Sequence, residues 1–178
     1  FELKEFKESQ TDLEDFPSRF PNSPLLAKAR LLFWQSSLEL KDGHALLNSI
    51  RGLSGLESNP DALYYQAQVY DVLTDAAKAL PIYQKLYYQF PLHDSANLTA
   101  QRLSALAGGD LPVPKEWRIA RIEKLLTGRR HREVLKDLPL LFAADPAAAS
   151  QPQYQLWQGL SQFGTAQYFA AIQTLKPL

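Results

Sequence analysis

The chain has 178 residues, 46% of them apolar, with 19 lysines and arginines balanced by 19 aspartates and glutamates and no cysteine or methionine. Without cysteine it cannot form disulfides, thiolate zinc sites or iron–sulfur clusters, and zero net charge disfavours nucleic acid and anionic membranes as partners. Its longest strongly apolar cluster, Leu31-Leu32-Phe33-Trp34, is far shorter than the ~20 residues of a transmembrane helix, so we expect none. Because the chain starts at Phe1 rather than at methionine, we expect a fragment or a chain whose leader has been removed.

The first segment is acidic, and its carboxylates are those of Glu2, Glu5, Glu8, Asp12, Glu14 and Asp15. We interpret them as a solvated helix face rather than an acid/base site, which would need a buried carboxyl. Ser23 and Pro24 then mark the start of a helix that runs to about Leu40. Gly43 is expected to break this helix, and a shorter one follows over residues 45–53.

Residues 59–91 carry the clearest helical pattern, because their apolar side chains recur at intervals of three and four. Asn59 is a favourable N-cap residue, and Pro60 fits the first helical position, where its missing N–H would be unpaired in any case. Thr74 and Asp75 can cap a second helix, which Pro91 ends. The pattern therefore predicts two amphipathic helices.

The boundary signals recur along the chain, which indicates a repeat. Phe20-Pro21-Asn22-Ser23-Pro24 resembles Phe90-Pro91-Leu92-His93-Asp94-Ser95, since each has an aromatic residue, a proline and a polar cap. Residues 108–114, with two glycines and two prolines, read as a linker, and no segment reads as a strand. Further helices are predicted at about 94–107, 115–127, 130–143, 152–163 and 166–175.

Two prolines fall inside predicted helices. Pro81 and Pro139 each follow a leucine, at positions where an interior proline costs about 3 kcal/mol and kinks the helix. We interpret them as kinks in the outer helices of a curved superhelix; the alternative is that either helix is really two short ones.

Tandem helical hairpins suggest a solenoid of the 34-residue tetratricopeptide type. With Pro60 as first position, small residues fall at Ala67 and Ala79, aromatic residues fall at Tyr70 and Tyr83, and Pro91 closes the unit. A second start at Pro152 places Gly159, Ala171 and Leu175 correspondingly, although Gln162 replaces an aromatic residue. We therefore expect an all-α superhelix of antiparallel helix pairs, in one domain with sub-blocks 1–58, 59–110 and 111–178.

No catalytic or metal-binding pattern is found in the sequence. The three histidines, His44, His93 and His131, are far apart, and no phosphate-binding loop or dinucleotide turn is present. The segment 159–164 has one residue too many for a nucleophile elbow and lies in a predicted helix. We expect no catalytic residue, no metal and no cofactor.

A basic region between Lys115 and Lys136 is the main candidate for binding. Arg118, Arg121 and Lys124 are spaced to share one helix face, which Trp117 begins. One interpretation is that an acidic protein surface or a polyanionic glycan docks there. The other is that these cations pair with acidic residues of a neighbouring hairpin. The candidate binding residues of this region are Trp117, Arg118, Arg121, Lys124, Arg129, Arg130 and Arg132.

Two tyrosines extend this candidate set. Adjacent residues of a helix point about 100° apart, so only one member of each pair Tyr64-Tyr65 and Tyr87-Tyr88 can lie in the main core stripe. We assign Tyr87 to the core, along with the aromatic residues Tyr70, Tyr83 and Trp157, and we expect Tyr65 and Tyr88 to be available for binding.

The order of these features resembles the N-terminal superhelical domain of soluble lytic murein transglycosylases. The segments that carry the resemblance are Tyr87-Tyr88-Gln89-Phe90-Pro91, residues 95–106, residues 118–129 and Glu133-Val134-Leu135, although Val134 stands where that family has alanine. The resemblance covers about residues 12–178, and periplasmic tetratricopeptide lipoproteins share the part at Phe20 to Pro24. It implies a bacterial periplasmic scaffold without catalytic activity, beside a peptidoglycan-cleaving domain beyond Leu178.

Two functions follow as expectations. The first is a scaffold of the cell envelope that binds a protein or the glycan strands of peptidoglycan and is not itself an enzyme. The second is a tetratricopeptide adaptor that holds a peptide or partner protein in its groove. A cytoplasmic location stays open beside the periplasmic one, as do the identity of the ligand and the oligomeric state.

Overall fold

The computed structural model describes residues 3–108 and 113–178, and every regular element in these ranges is helical. The expected all-α class is therefore confirmed. Two short 3₁₀ helices, Leu56–Ser58 and Pro146–Ser150, lie between α-helices. The α-helices are α1 (Leu3–Glu14), α2 (Phe16–Arg19), α3 (Leu26–Glu39), α4 (Gly43–Arg51), α5 (Pro60–Val72), α6 (Ala76–Gln89), α7 (Ala96–Ala107), α8 (Lys115–Thr127), α9 (His131–Ala144), α10 (Pro152–Gly164) and α11 (Tyr168–Leu175).

Every helix with predicted bounds occurs, and its observed bounds lie within a few residues of the predicted ones. The role given to Gly43 is wrong, because Gly43 is the first residue of α4. The break lies just before it, where the Asp42 side chain accepts a hydrogen bond of 3.0 Å from the Ala45 N–H and caps the new helix. The acidic first segment, for which the sequence analysis gives no helix bounds, contains α1, and α2 follows it. Glu2 and residues 109–112 of the expected linker lie outside the described residues.

Both helices that contain an internal proline are continuous. Pro81 lies within α6 and Pro139 within α9, and each helix has 14 residues without interruption. The alternative that either helix is two short ones is therefore wrong. Both proline side chains are exposed, so their rings do not displace core residues.

The chain divides into two compact units. The first comprises Phe1–Leu86 and Leu98–Ala107, and the second comprises Tyr87–Asn97 and Gly108–Leu178. Helices α6 and α7 thus contribute residues to both units. None of the described helices has the length and apolar character that crossing a membrane requires.

The first unit has its core between α3, α4 and α5. Phe33 and Trp34 of α3 pack with Leu46 and Ile50 of α4 and with Val69 of α5. Close approach of the helices requires a small residue at Gly43, since a Cβ atom there would lie 2.9 Å from a methyl group of Val69. Helix α1 packs against α3, and its Leu13 contacts the same core.

A polar network joins α5, α6 and α7 within the first unit. Arg102 donates hydrogen bonds of 2.8 and 2.7 Å to the two carboxylate oxygens of Asp71, and the Tyr83 hydroxyl donates one of 2.9 Å. The hydrogen bond from Arg102 lowers the pKa of Asp71, and the bond from Tyr83 acts in the same direction. Ala67, Ala79 and Tyr83, three positions of the repeat pattern, are buried.

The second unit is built from α8, α9, α10 and α11, each packed against the next. Its core contains Ile122, Val134, Leu138 and Tyr154. Helices α10 and α11 approach closely at Gly159, where an added Cβ atom would meet Leu175, so this position tolerates no side chain without a shift. Glycine here has a packing role, as the repeat pattern requires of its small residues.

Four helix pairs are joined by the same turn, although the four sequences differ. In each, the second residue after the helix has a left-handed conformation, with φ between 55° and 62°. After α8, for example, the Arg129 N–H bonds to the Leu126 carbonyl and the Arg130 N–H bonds to the Leu125 carbonyl, which is a Schellman motif. The left-handed residues are Lys41, Thr74, Arg129 and Ala166.

The two aromatic-proline segments also adopt one local structure. The Ser23 N–H donates to the Phe20 carbonyl over 3.1 Å, and the His93 N–H donates to the Phe90 carbonyl over the same distance. A second bond closes each turn, from Leu26 to Ser23 and from Ala96 to His93. The sequence similarity of these segments therefore has a structural counterpart at the starts of α3 and α7.

Candidate functional site

The basic region occupies α8, α9 and the turn between them in the second unit, and its cations fall into two groups. Arg118 and Arg121, on the face of α8 that contacts the core, are 6% and 7% exposed. The side chains of Lys124, Arg129, Arg130 and Arg132 are exposed. The predicted binding residues of α8 therefore do not all face solvent, because Arg118 and Arg121 are buried while Lys124 is exposed.

Arg121 is held by a buried network. Its Nε atom donates a hydrogen bond of 2.6 Å to Asp137 of α9, and its Nη1 atom donates to the backbone carbonyl of Tyr87. The guanidinium also lies 3.6 Å from the centroid of the Tyr87 ring. Burial raises the pKa of Asp137, while the charge of Arg121 opposes this, and burial raises the pKa of Tyr87 to about 12. The network joins the end of α6 to α8 and α9.

Tyr88 lies beside this network and is 5% exposed, so the expectation that it stands outside the core is wrong. Its ring contacts Tyr87 at 5.0 Å and Trp117 at 6.1 Å between centroids, and the Arg118 guanidinium lies 5.9 Å from it. Tyr87, the member of the pair that is assigned to the core, is half-buried, whereas Tyr88 is buried because Trp117 and Arg118 of α8 lie against its ring. Trp117 itself is half-buried.

The crevice at this cluster is too small for a ligand. Its volume is about 10 Å³, which is close to the space that a single water molecule requires. The structure thus gives Tyr88, Arg118 and Arg121 a packing role, and a direct contact with a partner stays a prediction for them.

The exposed cations form an edge at the turn between α8 and α9. Arg130 donates to Glu133 through Nε and Nη2 at 2.9 and 2.7 Å, and Lys124 donates to the Gln89 carbonyl at 2.7 Å. No residue in the described ranges forms an ion pair with Arg129 or Arg132. The interpretation that these cations pair with acidic residues of a neighbouring hairpin therefore does not account for all of them. We call Arg129, Arg130 and Arg132 the arginine edge.

The arginine edge borders two aromatic residues of the last hairpin. Arg129, Arg130 and Arg132 line a shallow groove together with Phe163 and Tyr168. The two aromatic rings contact each other in a T-shaped arrangement, with centroids 5.5 Å apart. The groove thus combines cations with a pair of exposed aromatic rings.

Apolar side chains continue from this groove over α10 and α11. Phe163, Phe169 and Ile172 are 63%, 77% and 61% exposed, which is unusual for such large apolar residues on one hairpin. Sequence reasoning missed these exposed residues, although Leu156, Leu160 and Phe163 of α10 recur at helical spacing, which the sequence itself shows. We call the following residues the outer apolar patch: Leu156, Leu160, Phe163, Tyr168, Phe169 and Ile172.

Tyr65 lies in the first unit, apart from this region. It is half-buried, with its ring 5.6 Å from Trp34 and 6.0 Å from Tyr64 between centroids. Burial raises the pKa of Tyr65. It therefore packs partly against the core and keeps one edge at the surface.

No group of three or more metal-ligating side chains occurs in the part of the chain that the structure describes. The arginine edge and the outer apolar patch supply charge and apolar area, which are the properties of a docking surface. No known family model matches the chain, and a search of curated proteins gives no match.

Proposed function

We propose that this chain is a non-catalytic scaffold whose last hairpin binds an acidic, amphipathic helix of a partner protein. The observation that carries the proposal is the outer apolar patch with the arginine edge along its border. An exposed apolar patch of this kind typically marks an interaction site.

The proposed architecture is a tetratricopeptide-like superhelix of antiparallel helix pairs. Four repeated Schellman turns support it, as do the buried small residues Ala67 and Ala79 and the close packing at Gly159. In a solenoid each helix pair buries its apolar face against the next pair. The side chains of the outer apolar patch are exposed, so no neighbouring helix among the described residues covers them.

A helix is the form of partner that best suits this face. The α10 members Leu156, Leu160 and Phe163 are spaced at i, i+4 and i+7, so they form one ridge along the helix. Such a ridge packs into the groove of another helix, as the helices within this chain do. Recognition of an amphipathic helix through apolar anchors is a common mode of peptide binding.

Charge indicates that the partner helix is acidic. Arg129 and Arg132 have no ion pair within the described residues, and both adjoin Phe163 and Tyr168. Cations at the rim of an apolar interface select an oppositely charged partner and accelerate its association. Arginine and aromatic residues are also enriched among the residues that dominate binding energy.

The competing proposal follows from the resemblance to lytic transglycosylases. It assigns the chain to the bacterial periplasm, as a scaffold that contacts peptidoglycan strands. The same exposed cations support it, but the outer apolar patch has no role in it. For this reason we favour a protein partner, and the experiment below distinguishes the two.

The test compares two synthetic helical peptides by NMR titration of the full chain. Both carry leucines at i, i+3, i+4 and i+7, and one has glutamate and the other lysine at the remaining positions. We expect the acidic peptide to shift amide resonances of α10 and α11, with weaker binding as salt rises, because screening reduces attraction to the arginine edge. The basic peptide should bind much more weakly.

Charge-reversed variants supply the control. Arg129→Glu with Arg132→Glu should abolish the preference for the acidic peptide, whereas Lys7→Glu with Lys28→Glu, an equal charge change at exposed positions of α1 and α3, should not. Equal binding of both peptides, or shifts confined to other helices, would overturn the proposal. Co-sedimentation with purified peptidoglycan that excess acidic peptide does not reduce would favour the competing proposal instead.

A further inference from the structure

The first unit contains a cavity of about 370 Å³ that has no part in the function proposed above. It lies between α1, α2, α3 and α4, and its apolar walls come from Leu13, Pro17, Phe33, Trp34 and Leu53. Ligand-binding pockets in proteins are typically about 300–1,000 Å³ and mainly apolar. At ~30 Å³ per water molecule the space equals about a dozen waters, which corresponds to a ligand the size of an amino acid.

The indole N–H of Trp34, in the wall of this cavity, already has a hydrogen-bond partner. It donates a hydrogen bond of 2.7 Å to the Ser49 hydroxyl, which in turn donates to the Leu46 carbonyl. Trp34 is only 2% exposed, and Phe33 beside it is also buried. Trp34 and Phe33 therefore offer an apolar contact to a ligand, and the indole N–H is not available to it.

Three polar side chains also line the cavity: Arg30 of α3, Glu14 at the end of α1, and Asn48 of α4. Within residues 3–108 and 113–178, none of the three has a hydrogen bond or ion pair through its side chain. Arg30 and Glu14 do not pair with each other, although both face the same space. One cavity thus presents an apolar wall, a cation, an anion and an amide.

We infer that this cavity binds a free amino acid with an apolar side chain. The side chain lies against Phe33 and Trp34, the carboxylate accepts hydrogen bonds from Arg30, and the ammonium group donates to Glu14. A guanidinium matches the geometry of a carboxylate and forms a strong charge-assisted bond with it. A purely apolar ligand would leave both charges without a partner, and a peptide terminus would use only one of them.

The test is calorimetric titration of the unmodified full chain with L-phenylalanine, and with two derivatives that each lack one charge. N-acetyl-phenylalanine retains only the carboxylate, and phenylalanine amide retains only the ammonium group. We expect L-phenylalanine to bind with a Kd near or below about 1 mM. Each derivative should bind at least about tenfold more weakly, because one rim charge is then left without its partner.

Two variants assign the charges to their residues. Arg30→Gln should bind L-phenylalanine and its amide equally, and Glu14→Gln should bind L-phenylalanine and its N-acetyl derivative equally. Lys28→Gln removes an exposed cation of the same helix that does not line the cavity, and it should bind as the unmodified chain does. The indole Nε1–H resonance of Trp34 should shift on binding, which places the ligand in this cavity.

Several results would overturn the inference. One is the absence of binding by all three compounds. Another is equal affinity for N-acetyl-phenylalanine and L-phenylalanine, which would mean that the site takes the carboxyl end of a chain instead. A third is equal weakening by Arg30→Gln and Lys28→Gln, because binding would then depend on overall charge and not on this cavity.

Discussion

At the scale of single residues, the buried pair of Arg121 and Asp137 shows what spacing can and cannot reveal. The interval between Arg118 and Arg121 correctly predicts a shared face of α8. This face is covered by α9 and by the end of α6. The residues of these helices that bond to Arg121, Asp137 and Tyr87, are 16 and 34 residues away from it in the sequence. Charged residues are seldom fully buried, so sequence alone favours an exposed face.

The pair predicts strongly non-additive effects on stability. Arg121→Met leaves the Asp137 carboxylate buried without its main cation, and Asp137→Leu leaves the guanidinium without its anion. Each single variant should lower the free energy of unfolding by about 3–5 kcal/mol, whereas the double variant should recover most of this loss. Urea unfolding of all four proteins measures the coupling. A double variant that loses the sum of the two single losses would contradict the account.

The stability loss caused by Arg121→Met should also depend on pH, with a definite sign. Without Arg121 the pKa of Asp137 should rise further, since the charge of Arg121 opposes the effect of burial. A carboxyl whose pKa is raised by folding destabilises the protein as pH rises from its unfolded pKa through its folded pKa. The loss caused by Arg121→Met should therefore be smaller at acidic pH than at neutral pH.

At the scale of elements, the helices were predictable from sequence and their turns were not. Apolar residues at helical spacing, the N-cap residue Asn59 and Pro60 at the first helical position predict α5 with its observed start. The repeated turn escaped prediction because Lys41, Thr74, Arg129 and Ala166 share no chemistry. Glycine is the usual residue at such a position, and none of the four is glycine. The backbone bonds that satisfy the last carbonyls of each helix define this turn.

Thr74 provides the test of this turn. A β-branched residue at φ 55° is strained, whereas glycine adopts this conformation freely. Thr74→Gly should therefore raise the free energy of unfolding by about 0.5–1 kcal/mol, as the strain is greater than the entropy that glycine adds to the unfolded chain. Thr127→Gly, the same change in the last turn of α8, should lower it by a similar amount. Equal destabilisation by both variants would show that the turn stores no strain.

At the scale of the whole molecule, the zero net charge is a sum of unlike regions. The described carboxylates of residues 5–15 are exposed at the N-terminal end of the chain, whereas the exposed arginine edge lies in the second unit. This asymmetry could be read from sequence. The helical spacing of Leu156, Leu160 and Phe163 could be read as well, but not their exposure, which makes them part of the outer apolar patch. A helix with apolar residues on two faces, such as α10, has the same pattern whether its second face is buried or open.

The most direct measurement replaces Phe169 by a photoreactive benzoyl-phenylalanine in the cell that produces the protein. Illumination should link position 169 to a different protein, through a segment that is acidic and amphipathic. The same group at Val72, an exposed apolar position of the first unit, should give no such product. Arg129→Glu with Arg132→Glu should remove the product at 169. Cross-linking only to a second copy of this chain, equal products from both positions, or no protein product at all would contradict the proposed docking surface.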